Sequence, residues 1–284
     1  MSKRREGIFI VGHGTKSNEG VKQFIETVNQ VQDKSSLPVG FGFIELANPT
    51  IASGLEQFVN SSSVNHVKIV PLLLLAAGHV KNDIPDAISN ARLSHPTLSF
   101  EISKDLSIAP ILLEIIEDRV IESVSKFESR KPEFTLLVGR GSTDPDANSD
   151  LYKISRLLSE RGRIGEVQPG FISLAKPDVP SSLNRLTKIG ASEVVVAPYF
   201  LFSGALLDRI YNQSKAWSAS NPGTKILLAA EMGSDERISD LIIERIESPI
   251  VDMMNCEMCI YRTKFPNNEM QKRGMEIHAD HLHG

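Results

Sequence analysis

Two histidines and one glutamate, His13, Glu45 and His79, are the residues of this chain best suited to bind a metal ion. Two imidazoles and a carboxylate form a ligand set for borderline divalent ions such as Co2+, Fe2+, Ni2+ or Zn2+. His13 stands ahead of a predicted helix, whose positive N-terminal end should disfavour the imidazolium form and leave the ring able to take a metal or a proton. Glu45 can complete the shell of the ion or act as a base. We therefore predict a metal site that also handles protons.

The chain repeats itself at an offset of 127 or 128 residues, and the three candidate ligands are not repeated. The segment Val-Gly-His-Gly-Thr at residues 11–15 returns as Val-Gly-Arg-Gly-Ser at 138–142, and Phe-Ile-Glu-Leu at 43–46 returns as Phe-Ile-Ser-Leu at 171–174. A duplicated scaffold with a single working site, in the first copy, explains this pattern. The exchanged pairs are His13 and Arg140, Glu45 and Ser173, and His79 and Leu206.

Alternating apolar runs and amphipathic segments predict an α/β fold of two similar lobes, each a mostly parallel sheet with helices on both faces. Asn18 is the expected N-cap of the first helix. Ligands of such sheets bind outside the carboxyl ends of the strands, where all three candidates fall. We expect strands at residues 7–11, 39–46, 67–75, 98–102, 134–138, 166–174, 193–201 and 225–230. We expect helices near residues 19–33, 50–60, 85–92, 107–127 and 235–246, with others between the later strands.

The repeat also suggests the domain organisation. We predict an N-terminal lobe over residues 1–128 that carries the metal site, a C-terminal lobe over 129–247 that lacks the ligands, and a tail over 248–284 that contains cysteine and histidine. The glycines beside His13, and the small residues 76–78 ahead of His79, should leave room for a large flat ligand to approach the backbone.

Composition excludes several classes of function. The chain has 284 residues, 41% of them hydrophobic and 23% charged, with a formal net charge of −4. Basic residues show neither an excess nor a cluster of the kind that binds nucleic acid. No apolar run is long enough for a membrane span, and no signal peptide is recognisable before the first strand. We expect a cytoplasmic protein that binds neither nucleic acid nor membrane.

The C-terminal tail contains the only two cysteines, Cys256 and Cys259, and ends in His278, His281 and His283. Two thiolates are half of a tetrahedral zinc site or a four-iron site, so a complete site needs these histidines or a second chain. We therefore expect a monomer, or a homodimer joined through the tail. A tail with no metal role is the open alternative.

Each candidate ligand also has a plain structural explanation. A histidine in a glycine turn is commonly a hydrogen-bonded loop residue, and Glu45 could be an ordinary strand residue. We take His66 and His95 as histidines of that ordinary kind, at element edges without acidic partners. The joint loss of all three candidates in the second copy favours a shared site.

Several segments resemble the class II tetrapyrrole chelatases of the sirohydrochlorin cobaltochelatase and ferrochelatase family, in its long, duplicated form. They are residues 11–15, 43–50 and 70–85 in the first half, and 138–146 and 198–204 in the second. The resemblance covers roughly residues 7–247, and the Ala-Gly-His to Ile-Pro stretch at 77–85 is its most specific part. The Met-Asn-Cys-Glu-Met-Cys motif at 254–259 resembles the extension of long cobalt-inserting members.

This resemblance implies two chelatase-like lobes enclosing a cleft, and ATP-independent insertion of a divalent metal into sirohydrochlorin. His13 and His79 match the catalytic, metal-binding histidines of the family, and Glu45 matches their acidic partner. Co2+ is favoured, which would serve cobalamin biosynthesis; Fe2+ insertion for siroheme is the alternative. Some long members carry an iron-sulfur cluster, which implies a 4Fe-4S site at Cys256 and Cys259.

The eight carboxylates of sirohydrochlorin need donors. Arg140 could bind one bidentately across the cleft. Ser142 is a weaker candidate, as are Lys81 and Arg209. Two other classes of function stay open. A zinc hydrolase would use the same ligands to acidify water, and a metallochaperone would depend on the cysteine and histidine tail.

Overall fold

Two four-stranded parallel sheets form the framework of the computed structural model, which describes residues 4–75, 83–125 and 132–247. The first sheet has the strand order β2-β1-β3-β4 and the second the order β6-β5-β7-β8. The elements of the first half are β1 (Glu6–Gly12), α1 (Asn18–Lys34), β2 (Val39–Phe43), α2 (Ile51–Ser62), β3 (His66–Leu72), α3 (Ile84–Ser94), β4 (Ser99–Ile102) and α4 (Pro110–Ser125). Those of the second half are β5 (Phe134–Gly139), α5 (Pro145–Arg161), β6 (Glu166–Phe171), α6 (Val179–Lys188), β7 (Glu193–Pro198), α7 (Ala205–Ser220), β8 (Lys225–Leu228) and α8 (Glu236–Glu247).

Helices cover both faces of each sheet, which confirms the predicted fold class. The inward face of β1 buries Ile8 and Ile10 among the helices between the sheets, while its outward face buries Phe9 and Val11 beneath α2 and α3. A strand buried on both faces is apolar at its buried positions, and this is why β1 is a continuous apolar run after Glu6. Among the described helices, none combines the length and the apolar character that crossing a bilayer requires.

The last helix of each half lies against the sheet of the other half. Helix α4 packs on β7 and β8, and α8 packs on β3 and α1. One hydrophobic core therefore runs from the first sheet to the second, and it includes Ile10, Ile116 of α4, Leu137 and Ile242 of α8. Burying each such side chain contributes about 1.5–3 kcal/mol. The two sheets cannot separate without exposing this core.

A buried carboxylate on α4 reinforces the connection between the halves. Glu117 is completely buried, and it accepts hydrogen bonds from Arg161 Nε at 2.8 Å and Arg163 Nη1 at 2.7 Å. The neighbouring Asp118 accepts a hydrogen bond from Arg237 Nη1 of α8 at 2.7 Å. A buried carboxylate is tolerated only when it is paired in this way. These contacts join α4 to α8, to the last residue of α5 and to the turn that follows it.

The carboxyl ends of β2 and β6 depart from the sequence prediction. The strands β2 and β6 end at Phe43 and Phe171, whereas we predicted that they continue to residues 46 and 174. The chain leaves the sheet there and returns, since Phe43 N–H donates to Pro49 O and Phe171 N–H to Pro177 O, both at 2.9 Å. The apolar residues of these loops continue the pattern of the strands, and this is why the sequence predicted longer strands.

The predicted cap of α1 is wrong by one residue. Ser17, and not Asn18, is the N-cap, because Ser17 Oγ accepts a hydrogen bond from Gly20 N–H at 3.2 Å. Thr50 caps α2 in the same manner. Pro85 lies in the first turn of α3. The domain limits at residues 128 and 247 stay a prediction.

His66 is not the ordinary edge histidine that we expected. It is 6% exposed, its Nδ1 lies 2.7 Å from Ser99 Oγ, and its Nε2 lies 3.3 Å from Glu101 Oε2. Arg4 also contacts its Nε2. His66 begins β3 and Glu101 lies in β4, so pairing of parallel strands brings the acidic partner alongside. This cluster lies at the amino ends of the strands, opposite the candidate site.

Burial, followed by the positive charge of Arg4, lowers the pKa of His66 below its ordinary value of 6.5, against the partial opposition of Glu101 and Glu6. The unfolded chain therefore binds more protons than the folded one just below pH 6.5. The contribution of His66 to the free energy of unfolding should reach its maximum above that pH, and the free energy of unfolding should fall as the pH drops below it. The variant His66→Asn should lose this part of the pH dependence in urea titrations. His95→Asn should keep this pH dependence. If the free energy of unfolding of His66→Asn depended on pH in the same way as that of the parent, the explanation would be contradicted.

Candidate functional site

Backbone pairing beyond the ends of β1 and β2 brings His13 and Glu45 together. Ile44 N–H donates to Gly12 O at 2.9 Å, and Glu45 N–H donates to His13 O at 3.1 Å. The side chains then meet, with His13 Nε2 3.5 Å from Glu45 Oε1. Both are accessible, with 26% of the His13 side chain and 47% of the Glu45 side chain exposed. Two of the three predicted ligands thus form a pair at the carboxyl edge of the first sheet.

Gly14 makes this approach sterically feasible, for a reason that differs from our expectation. Its φ is +92°, and a Cβ at this position would lie 1.8 Å from Glu45 O. The equivalent Gly141 has a φ of +81°, and a Cβ there would lie 2.7 Å from Ala175 N. We predicted that the glycines beside His13 leave space for a ligand. At Gly14 the space is occupied by the loop that carries Glu45.

The second copy reproduces the same backbone with other side chains. Ile172 N–H donates to Gly139 O at 3.0 Å, and Ser173 N–H donates to Arg140 O at 3.0 Å. Arg140 and Ser173 therefore have the places that His13 and Glu45 have in the first copy. The scaffold is independent of these side chains, since its hydrogen bonds are made by the main chain.

The two copies face each other at this point. Arg140 Nη1 lies 3.1 Å from His13 Nε2, although the residues are equivalent positions of the repeat. A contact between equivalent residues means that the loops after β1 and β5 meet across the boundary between the halves. The site is therefore composite, with an imidazole and a carboxylate from the first half and a guanidinium from the second.

The contacts of His13 with Gly14 and Arg140 fit one tautomer of its ring. Nδ1 lies 3.1 Å from Gly14 O, and a carbonyl oxygen can only accept a hydrogen bond. Arg140 can only donate, so Nε2 presents its lone pair to the guanidinium. A neutral ring with hydrogen on Nδ1 satisfies both contacts. Metal-binding histidines are commonly oriented in this way, by donating the second ring N–H to a carbonyl or carboxylate.

Other predicted site residues have different positions. Ser142 Oγ accepts a hydrogen bond from Asp144 N–H at 3.0 Å, in the loop that begins α5. Leu206 packs on the outer core of the second sheet, and Arg209 lies exposed on α7. Within residues 4–75, 83–125 and 132–247, no group of three His, Cys, Asp or Glu side chains could hold a metal. The predictions for His79, Lys81, Cys256 and Cys259 fall outside these residues.

A polar cluster near the site holds the loop after β7 against the start of α1. Gln23 Nε2 donates to Glu231 Oε1 at 3.0 Å, Ser203 N–H donates to Gln23 Oε1 at 2.8 Å, and Ser203 Oγ donates to Glu231. Burial acts to raise the pKa of Glu231, but the hydrogen bonds from Ser203 and Gln23 and the charge of Arg119 lower it overall. Glu231 thus stays ionised and fixes the second lobe beside the first. Sequence reasoning missed this cluster, because its members are far apart in the chain.

Two exposed leucines follow the site loops and were also missed. Leu46 is 52% exposed and Leu174 is 55% exposed, and they are equivalent positions of the repeat. Each comes directly after an exchanged residue, Glu45 or Ser173. The sequence did contain a signal for these leucines. The leucine is kept in both copies, whereas the residue before it changes from glutamate to serine. We predicted both as the last residues of strands, so their exposure was not expected.

Comparison with known proteins confirms the resemblance over both halves. A family model described as CbiX matches the chain twice, over residues 7–123 and 135–248. A sirohydrochlorin cobaltochelatase of Priestia megaterium is 33% identical over 280 residues, covering 97% of this chain and 88% of that protein. A sirohydrochlorin ferrochelatase of the same organism is 28% identical over 244 residues, covering 86% of this chain and 90% of that protein.

Two solved structures are similar over most of the chain. SirB from Bacillus subtilis with Fe3+ superposes with a TM-score of 0.73 at 26% identity, covering 85% of this chain and 94% of that one. The sirohydrochlorin chelatase SirB from Bacillus subtilis subspecies spizizenii, in complex with cobalt, superposes with a TM-score of 0.69, with the same identity and coverage.

The His13 and Glu45 pair predicts how Co2+ binding should respond to substitution. His13→Ala removes a predicted ligand and should weaken Co2+ binding at least about tenfold, and Glu45→Ala should weaken it in the same direction. Calorimetry and the visible absorption of bound Co2+ measure this. Ser173→Ala, at the equivalent position of the second copy, is the matched control and should bind Co2+ as the parent does. Equal losses in Ser173→Ala and Glu45→Ala would refute a site confined to the first copy.

Proposed function

Because the chain belongs to the CbiX family, we propose that it inserts a divalent metal, with Co2+ favoured, into sirohydrochlorin without ATP. The observation that supports this most directly is the His13 and Glu45 pair, set opposite Arg140 at an exposed junction of the two halves. A ligand pair for a borderline metal, next to a cation suited to carboxylates, corresponds to a substrate that combines a metal with a polycarboxylate.

Metal insertion exchanges one divalent ion for the two pyrrolic protons of the macrocycle. The enzyme must remove water from the ion, hold the ring over it and accept the protons. In this proposal His13 Nε2 and His79 hold the ion, while Glu45, 3.5 Å from the same nitrogen, receives or relays a proton. Ligation by few protein groups suits the reaction, because the ion must leave for four macrocycle nitrogens.

The rest of the loop surface suits a flat polycarboxylate. Leu46 offers an exposed apolar contact next to Glu45, and Leu174 offers another next to Ser173 in the second copy, as the face of a tetrapyrrole requires. Arg140 is the cation closest to His13 among the described contacts, and it can pair with a substrate carboxylate bidentately. Ser142 stays a weaker candidate, because its hydroxyl already accepts a hydrogen bond within its own loop.

The identity of the metal is proposed from chemistry and similarity. Co2+ and Fe2+ are neighbours in the affinity series, so ligand type alone separates them poorly. The relative matched over 97% of this chain is a cobaltochelatase, and the match to the ferrochelatase is shorter. We also propose that Cys256 and Cys259 contribute to a 4Fe-4S cluster. Its further ligands would come from the tail histidines in a monomer, or from a second chain in a homodimer joined through the tail.

The function is tested by mixing the protein with Co2+ and sirohydrochlorin under anaerobic conditions and following the absorption bands of the free macrocycle. We expect catalytic turnover for the parent protein. His13→Ala and His79→Ala should abolish insertion without unfolding the protein, and Glu45→Gln should slow it. Fe2+ and Ni2+, tested at matched concentrations, should be inserted more slowly than Co2+.

The same assay separates the rival functions. Stoichiometric Co2+ binding without a change in the macrocycle would indicate a metallochaperone, and release of phosphate or ester products would indicate a hydrolase. His95→Ala is the control for the histidine variants and should leave turnover unchanged. Near-parental turnover in both His13→Ala and His79→Ala would refute the proposed site.

A further inference from the structure

We propose that Arg140 is a placeholder for the metal: its guanidinium occupies the ligating lone pair of His13 until a carboxylate of the macrocycle draws it away. Binding of the macrocycle would then open the site to the ion. This inference deepens the proposed function and depends on it for the identity of the carboxylate donor. It concerns the order in which the two substrates bind.

The two nitrogens of the His13 ring have different partners. Nδ1 lies 3.1 Å from Gly14 O, and in the neutral tautomer that donates this hydrogen bond the ligating lone pair of the imidazole is on Nε2. Arg140 Nη1 lies 3.1 Å from this Nε2. A guanidinium has donors only, so the contact uses the lone pair that a metal would need.

Occupancy of that lone pair by the guanidinium and by a metal is mutually exclusive. A metal bound to an imidazole nitrogen lies at about 2.0–2.2 Å along the lone-pair direction. The guanidinium nitrogen already lies in hydrogen-bond contact with Nε2, and two cations in contact repel each other. Glu45 Oε1, 3.5 Å from Nε2, is placed to neutralise whichever cation is present. Free protein should therefore bind metal more weakly than the ligand set alone would allow.

A carboxylate is the partner that would release Arg140. A bidentate bond between arginine and a carboxylate is stronger than one hydrogen bond to a neutral imidazole. Arg140 is exposed, so its side chain can turn towards a ligand without unpacking the core. The duplication explains the position of Arg140. It is the second-copy equivalent of His13 and meets it across the boundary between the halves.

Such an exchange couples the two substrates. If a macrocycle carboxylate removes Arg140 from His13, the macrocycle raises the affinity for metal, and linkage requires the metal to raise the affinity for the macrocycle by the same factor. The contact is exposed, so the factor is modest, about two- to fivefold. We therefore expect each substrate to raise the affinity for the other by a small factor.

The first experiment measures Co2+ binding by calorimetry in the absence of any tetrapyrrole, and so does not depend on enzyme activity. Arg140→Ala should bind Co2+ about two- to fivefold more tightly than the parent, because the lone pair of His13 is no longer occupied. If the substitution instead damaged the site, Co2+ would bind more weakly than to the parent. Lys16→Ala, which removes one exposed positive charge from the same loop as His13, controls for the general effect of charge and should change the affinity less.

The second experiment titrates the cobalt-filled macrocycle, which has the same carboxylates and accepts no further ion. Arg140→Ala should bind it several-fold more weakly than the parent and than Lys16→Ala. Unchanged or weaker Co2+ binding in Arg140→Ala, or a gain equal to that of Lys16→Ala, would overturn the placeholder. Unchanged binding of the filled macrocycle would overturn release by a carboxylate. Tighter Co2+ binding in a protein that inserts no metal would instead refute the proposed function and leave the contact between Arg140 and His13 standing.

Discussion

The last helix of each half lies against the sheet of the other half, and the position of the candidate site depends on this exchange. Helix α4 closes the inner face of the second sheet and α8 that of the first, so a single core joins them. The buried Glu117 and its two arginines reinforce the same junction. With the sheets held in this way, the loops after β1 and β5 are fixed face to face. His13 and Arg140 meet because the halves cannot move apart independently.

The duplicated backbone explains how one site could specialise. Main-chain hydrogen bonds hold residues 13 and 45 together, and the same bonds hold residues 140 and 173. Because the side chains do not contribute to this scaffold, they could diverge without loss of the fold. One copy presents an imidazole and a carboxylate for a cation, and the other presents a guanidinium for an anion. A substrate with an ion and many carboxylates uses both.

Much of this arrangement could be predicted from the sequence, since it depends on local patterns. The repeat, the parallel strands and the convergence of His13 and Glu45 follow from apolar runs and from the position of each residue after its strand. The exchange of α4 and α8 could not be predicted, because an amphipathic helix does not specify which sheet it covers. The exposure of Leu46 and the burial of His66 beside Glu101 were missed for a related reason. Both depend on where the chain leaves the sheet, or on which strands are neighbours.

The most direct test of the account is anomalous diffraction from crystals of the protein soaked with Co2+. We predict one cobalt ion in each chain, at about 2.0–2.2 Å from His13 Nε2, beside Glu45 and with Arg140 displaced from the imidazole. No ion should occupy the equivalent position next to Ser173. Cobalt bound elsewhere, or cobalt at His13 with the contact between Arg140 and Nε2 intact, would contradict the account.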